Sequence, residues 1–526
     1  MSDQGDQEQQ ATPEGYYNPR PRVRSPQPRV EVEQQAGFTG SSARVRVLLG
    51  TEGASSLSSV FTLCNSAIGA GVLSLPYAFQ CAGLVGCLVL SLCVAGLEAF
   101  TMYVLAKFAE RYDANSYGSL IRRALGRKTA ACLSGVLLVY LWGSCVAYLV
   151  IVADTFTSLS VQYLGPEAWF SQRPVVVLTA GTLAMLMCFP RNLSALERVS
   201  FAAVLGFMYT AGAVLVRGTQ AVSARPDPWA GVTLFNTDIQ ALYSISIVVF
   251  GFNCHANVVS VFYELEHYPH RLISQLPAEP TEYHTLGPLA PKPYTYKLIG
   301  MLGAILSAQS IILVGYMAVG VAGYLAYPFK VSSNILNSFA ADDIAIQIAR
   351  AVIGCVVLGH YPLNHHPARK GWEDLLDAVF NVKQIPGWLS AVITIVFVWS
   401  NVLTSLVVTD LGEVLHMIGG TAASFMIFFL PGLLLMNGAI IKHTYSCTSL
   451  SALIEDAGSE AATPRSLAAG TDGGAGSSSA PLLDKKAGIR DAGLIFAPGK
   501  SWVMGLVLVI ISGLVLAVTL LTALLD

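Results

Sequence analysis

Charged side chains are scarce in this chain: they make up 12% of 526 residues, against 53% hydrophobic, and the formal net charge is −2. Mean hydropathy is +0.56. That balance excludes an ordinary soluble domain and a nucleic-acid surface, and it points to repeated apolar runs of about 20 residues, the length that crosses a bilayer as helix. Catalytic signatures are missing too. No GxxxxGK[ST] phosphate loop, HExxH zinc motif or GxSxG elbow occurs, so an enzyme is not expected, no cofactor is called for, and driving energy would come from an ion gradient and not from ATP. The ten cysteines include no CxxC metal spacing and none falls in a predicted outer loop, so no outer disulfide is expected. Residues 1 to about 50 hold no apolar core; a cleavable signal peptide is not expected, and the first span directs insertion.

What is present is a series of apolar runs. They place eleven membrane helices at about 57–80, 83–108, 130–160, 173–189, 198–216, 238–263, 297–326, 343–363, 387–408, 413–437 and 502–524. Lys107, Arg111, Arg122, Arg123, Arg127 and Lys128 crowd the ends of the second and third runs, whereas Arg173, Arg217, Arg225, Lys330 and Arg350 are the whole basic complement of the opposite side. Short cytoplasmic loops retain basic residues, so the N-terminus is predicted inside and the C-terminus outside. The arm 1–50, rich in Gln, Glu, Pro and Arg, and the Gly/Ser/Ala-rich segment 441–500 read as a disordered cytoplasmic arm and loop, open to regulatory proteins. They flank a ten-helix core at 51–440 and precede a last helix at 501–526. The sequon Asn192-Leu193-Ser194 falls inside and is expected to stay unmodified.

Two of the runs are interrupted. The first contains Asn65-Ser66-Ala67-Ile68-Gly69-Ala70-Gly71-Val72-Leu73-Ser74-Leu75-Pro76-Tyr77, with two glycines and a proline in a membrane helix. Backbone groups freed at bilayer depth cost several kcal/mol each unless protein, water or a ligand satisfies them. Gly69 and Gly71 carry no Cβ and let ligand atoms reach the backbone. Five helices later, Val249-Phe250-Gly251-Phe252-Asn253-Cys254-His255-Ala256-Asn257 repeats the interruption. One intramembrane glycine is as often a packing site. A matched pair points to an inverted repeat with its binding site near the midplane. Half-helix N-termini attract a carboxylate, and half-helix C-termini attract a cation or ammonium; a zwitterionic amino acid fits both.

At these residues the chain resembles the sodium-coupled neutral amino-acid transporters of the amino acid/auxin permease superfamily. The matching stretches are Asn65 to Phe79, Phe250 to Leu265, Tyr140 to Asp154, Phe189-Pro190-Arg191, and Gly419 to Gly432. The resemblance implies an all-α polytopic membrane protein of eleven transmembrane helices in a 5+5 inverted-repeat (LeuT-like) fold, with broken helices 1 and 6. Carried over by residue, it implies that backbone groups of Ala67, Ala70 and Gly71 hold the substrate carboxylate. Asn65 and the Ile68 carbonyl would belong to the cation site, and Phe250, Phe252 and Asn253 would line the side-chain pocket.

One stretch departs from that family. Members that use sodium commonly carry Thr or Ser in the eighth helix shortly before a proline, whereas Val356-Val357-Leu358-Gly359-His360-Tyr361-Pro362 has no hydroxyl before Tyr361. Sodium wants oxygen ligands, and imidazole can carry a proton. His360 is therefore a candidate coupling residue, with Na+ and H+ both open as co-ion. Glu98 and Asp154 are acids within or near spans two and three, able to relay protons or to pair; His255 could touch substrate or be a satisfied core histidine. The expected function is secondary active transport of small, glutamine- or alanine-like amino acids by alternating access. The alternative is a membrane sensor that binds amino acids with little or no transport. The expected partners are an amino-acid substrate and the lipid bilayer around a monomer, in the plasma membrane or a vacuolar or lysosomal membrane.

Overall fold

A computed structural model describes residues 56–67, 69–189, 196–265, 293–380, 386–438 and 498–525. The expectations for the N-terminal arm, most of the 441–500 loop, the Asn192 sequon and the Ile68 carbonyl lie outside the described residues. The apolar runs form helices: α1 (Ser56–Ala67), α2 (Gly71–Ala82), α3 (Leu84–Tyr112), a short α4 (Tyr117–Leu125), α5 (Arg127–Leu164), α6 (Arg173–Cys188) and α7 (Leu196–Ser223). There follow α8 (Ala241–Phe252), α9 (His255–Glu264), α10 (Pro293–Ala326), α11 (Ile344–Phe380), α12 (Gly387–Val407), α13 (Leu411–Ile418) and α14 (Pro498–Leu525). Among the described residues eight stretches are long and apolar enough to cross a membrane, or nine if α1 and α2, bent by 62°, count as one broken span. α6 is apolar but shorter.

Local signals explain the joints. Gly83, at φ 82, turns the chain between α2 and α3; a Cβ there would stand 2.7 Å from the Leu234 carbonyl oxygen, and only glycine fits. The same loop is stitched down by Leu84 N–H to Thr233 O at 2.8 Å and Asn236 N–H to Ala82 O at 3.0 Å. At the other end Ser116 and Ser119 form a reciprocal capping box that starts α4. After α13 the tenth run continues as π turns, Gly419–Ala423 and Phe425–Phe429. Side chains take up carbonyls of this irregular stretch: the Tyr117 hydroxyl donates to Met426 O at 2.8 Å and Ser512 to Ser424 O at 3.2 Å.

Packing brings distant runs together. α2 lies on α8, α3 on α10, α5 on α11 and α6 on α12. The last helix is tied in by polar pairs, Ser246 with Thr519 at 2.9 Å and His416 Nε2 with Thr522 Oγ1 at 2.7 Å. An ion pair joins the start of α6 to α5, Arg173 to Asp154 at 2.5 Å. Asp154 also accepts from Asn334 Nδ2 at 3.1 Å, and Arg173 reaches Thr409 O at 3.3 Å. The loop after α10 is pinned on α2 by Ser74 Oγ to Ser333 O at 2.6 Å and Val331 N–H to Gln80 Oε1 at 3.0 Å.

Candidate functional site

The two interruptions meet. A Cβ built on Gly71, the first residue of α2, would lie 2.7 Å from Gly251 Cα and 3.7 Å from Phe250 Cδ1. The missing side chain is thus used by the backbone of α8, which approaches as closely as two helices can. Gly69 differs: its Cβ would find only Tyr148 Oη at 3.8 Å and Ala67 O at 3.9 Å, ordinary contact distances. One hydroxyl joins the broken ends. Tyr316 of α10 sits 2.8 Å from the Ala67 carbonyl oxygen, at the end of α1, and 3.2 Å from that of Gly251, near the end of α8.

The polarity around this point follows from the helix ends. α2 starts at Gly71 with no side chain capping its N-terminus, so N–H groups and the positive end of the helix dipole face the break. Ala67 and Gly251 present carbonyls from the C-terminal, negative ends. Asn253 and Cys254 separate α8 from α9, and Asn253 Oδ1 accepts from the His255 N–H at 3.1 Å. Phe250 packs its ring 5.7 Å from Tyr140, which lies within hydrogen-bonding reach of Asn253. Phe252 is wholly enclosed, edge-on to Tyr316 with ring centres 5.3 Å apart.

The residues singled out from sequence therefore divide. Gly69, Gly71, Ala67, Ala70, Phe250, Phe252 and Asn253 gather around the meeting of the two breaks. Ala67 is there through its carbonyl, an acceptor at a helix C-terminus, which suits a cationic group and not a carboxylate. Asn65 is half-buried near the end of α1, and Ile68, its expected companion at a cation, lies outside the described residues. His360 is buried in α11, with its ring 6.4 Å from Tyr148 and 6.5 Å from Phe207. Tyr148 also lies within hydrogen-bonding reach of Asn364, one turn beyond His360. His360 thus approaches the first break through Tyr148. His255 does not stand alone either: its Nε2 is 2.8 Å from Thr101 Oγ1 of α3.

Sequence reasoning missed Tyr316 and Tyr148. Tyr316 lies in a continuous apolar run with no local motif. Tyr148 did leave a trace: Tyr140, Ser144 and Tyr148 recur every four residues and share one face of α5.

The family model described as "Transmembrane amino acid transporter protein" matches residues 52–275 and 291–447. A sodium-coupled neutral amino acid transporter 7 of Xenopus laevis is 28% identical over 80% of this chain and 89% of its own. The protein of the same name in Danio rerio is 26% identical over 76% and 83%, respectively. Vacuolar amino acid transporter 2 of Saccharomyces cerevisiae is 24% identical over 70% of this chain and 73% of its own. A solved structure titled "Inward facing conformation of Mhp1" superposes with TM-score 0.45 and 14% identity over 73% of this chain and 78% of that one, a score too low to bear on the fold. With both breaks inside the matched residues, the chain belongs to the transmembrane amino acid transporter family and is a transporter, not an enzyme.

Proposed function

We propose that the protein is a secondary active transporter of small neutral amino acids, driven by a cation gradient and working by alternating access. The observation that carries this is the meeting of two helix breaks whose C-terminal carbonyl ends are bridged by Tyr316. A substrate carboxylate fits the uncapped start of α2, at the N–H groups of Ala70, Gly71 and Val72. Its ammonium fits the Ala67 and Gly251 carbonyls. Tyr316 has one hydroxyl proton for two acceptors, so one carbonyl is always under-supplied, and an ammonium with three donors can complete both. Phe250, Asn253 and Tyr140 offer apolar walls and one amide to an uncharged side chain. Phe252 backs Tyr316 and lines the pocket only indirectly.

The pairing of α2 with α8, α3 with α10, α5 with α11 and α6 with α12 puts helices of the first four runs against those five runs later. That supports the 5+5 inverted repeat and, with α6 and α7 crossing in addition to the nine spans above, eleven spans. The names of the frog and fish relatives support sodium as co-ion; the place of Asn65 near the end of α1 suits an oxygen ligand to it. The absence of a Ser or Thr hydroxyl in Val356–His360 and the approach of His360 to the first break support a proton. The yeast relative's name supports a vacuolar or lysosomal membrane, and the loop charges support an N-terminus on the cytoplasmic side.

Counterflow in proteoliposomes tests the reading. Vesicles preloaded with unlabelled alanine or glutamine should take up trace label transiently and saturably. Binding without counterflow would instead identify a sensor.

A further inference from the structure

Glu98 is a carboxyl group with nothing to hold it. It is fully buried in α3, and neither carboxyl oxygen has a hydrogen-bond partner among the described residues. Neither ion pair among the described residues includes it. Its position is informative. Glu98, Thr101 and Met102 lie within one turn on one face of α3. Thr101 touches His255 at 2.8 Å, and Met102 Sδ is 3.3 Å from Cys254 Sγ. That face therefore packs on the second break, with Glu98 about 4.5 Å further along the helix.

The hydrogen bonds around it have a direction. Thr101 Oγ1 lies 3.1 Å from Glu98 O and 3.2 Å from Leu97 O, so its proton goes back to its own helix. In the tautomer that matches this direction Thr101 accepts from His255 Nε2–H, and His255 Nδ1 is a bare acceptor. Nδ1 is also buried and without a hydrogen-bond partner among the described residues. Beside one helix break the protein thus keeps an unpaired carboxyl and an unpaired ring nitrogen.

The other titratable groups around Glu98 are Tyr140 from α5, Tyr316 from α10 and Cys254 between α8 and α9. None supplies a positive charge. On the helices packed against α3, α2 also carries Tyr77 and Cys81, α4 Tyr117, Arg122 and Arg123, α8 Tyr243, α9 Tyr263 and Glu264, and α10 Tyr324 and Lys297, whose Nζ is 3.1 Å from Tyr263 O; none hydrogen-bonds or ion-pairs with Glu98. The tenth-run π turns carry no titratable residue.

We propose that Glu98 is the group that takes up and releases a coupled proton during transport. The proposal rests on the transport reading above and adds a site to it. A buried carboxylate without a hydrogen-bonding side chain or a cation beside it pays a large desolvation penalty, whereas a neutral acid pays far less. The closed arrangement therefore accepts Glu98 only with its proton on. When one side opens, water reaches the carboxyl and the proton leaves to that side. The resulting carboxylate opposes reclosure until a proton returns, so closure and proton binding are tied to one another. His255 Nδ1 is the nearby acceptor through which a water could pass the proton onward.

The test uses the full chain in proteoliposomes with radiolabelled alanine and glutamine, in two modes: accumulation driven by a pH gradient, and counterflow at equal pH. Glu98→Gln should lower the ratio of pH-driven accumulation to counterflow by roughly tenfold or more, the usual size of a coupling free energy. Glu98→Asp should recover part of that ratio. An unchanged ratio in Glu98→Gln overturns the proposal, as does a wild-type protein that exchanges substrate but ignores the pH gradient. Absence of counterflow in the wild type overturns the transport reading itself. A second readout needs no substitution: a hydrophobic carbodiimide should label Glu98 of the wild type, read by peptide mass, more at acid than at alkaline pH. Labelling that is absent or independent of pH counts against Glu98.

Discussion

Replacing Gly71 by alanine adds one methyl group at the place where the two broken helices touch. That carbon would stand 2.7 Å from Gly251 Cα and 3.6 Å from Gly251 N. Ordinary carbon contacts lie at roughly 3.5–4.0 Å, so α2 and α8 must separate by about 1 Å. The obstacle is backbone, which cannot swing aside as a long side chain would. Overpacking of this kind costs about 1–3 kcal/mol. If that cost falls on the closed arrangement alone, its population drops about 5- to 150-fold. The assay is the counterflow rate of Gly71→Ala in proteoliposomes, set beside its melting temperature in detergent. A rate reduced by about tenfold or more and a lowered melting temperature are expected. Gly69→Ala provides the contrast, because its methyl meets nothing nearer than 3.8 Å; it should melt with the wild type. Gly71→Ala with wild-type counterflow would refute the claim that this contact belongs to the working cycle.

Other residues give sharper single readouts. Tyr316→Phe removes the one donor shared by Ala67 O and Gly251 O; leaving buried carbonyls unpaired costs about 1–3 kcal/mol, and uptake at low substrate should fall about tenfold while the protein still inserts. Asp154→Asn and Arg173→Gln, alone and together, should show a coupling of about 0.5–3 kcal/mol in thermal unfolding, since the two side chains are 2.5 Å apart; additive effects would mean that the pair does not hold α6 to α5. His360→Ala should alter dependence on sodium and pH more than the choice among amino acids, read from uptake with each gradient varied, and an unchanged ion response removes His360 from coupling.

Much of the site was legible because breaking a membrane helix is costly and leaves local marks. Gly69, Gly71 and Gly251 mark the breaks by residue type alone, and the half-helix argument assigns a polarity to each end before any contact is known. What the local pattern does not carry is which side chain from elsewhere completes the break. Tyr316 sits 249 positions from Ala67 in the chain, and nothing near it in the run signals a polar task. The role of Gly71 shifted for the same reason: a missing Cβ predicts close approach but not what approaches, and here Gly251 fills the space. Glu98 stands out in sequence as an acid in an apolar run, yet only the packing reveals that among the described residues no side chain hydrogen-bonds or ion-pairs with it.

The central claim, that the two breaks form the site of a gradient-driven amino-acid transporter, is tested most directly by reconstituted uptake. A panel of neutral amino acids is offered to proteoliposomes containing the full chain, with sodium and proton gradients imposed independently. The expected result is concentrative, saturable uptake of small neutral amino acids under at least one of the two gradients, abolished when both are collapsed. Uptake that never exceeds equilibration under either gradient, with or without measurable binding, would contradict it.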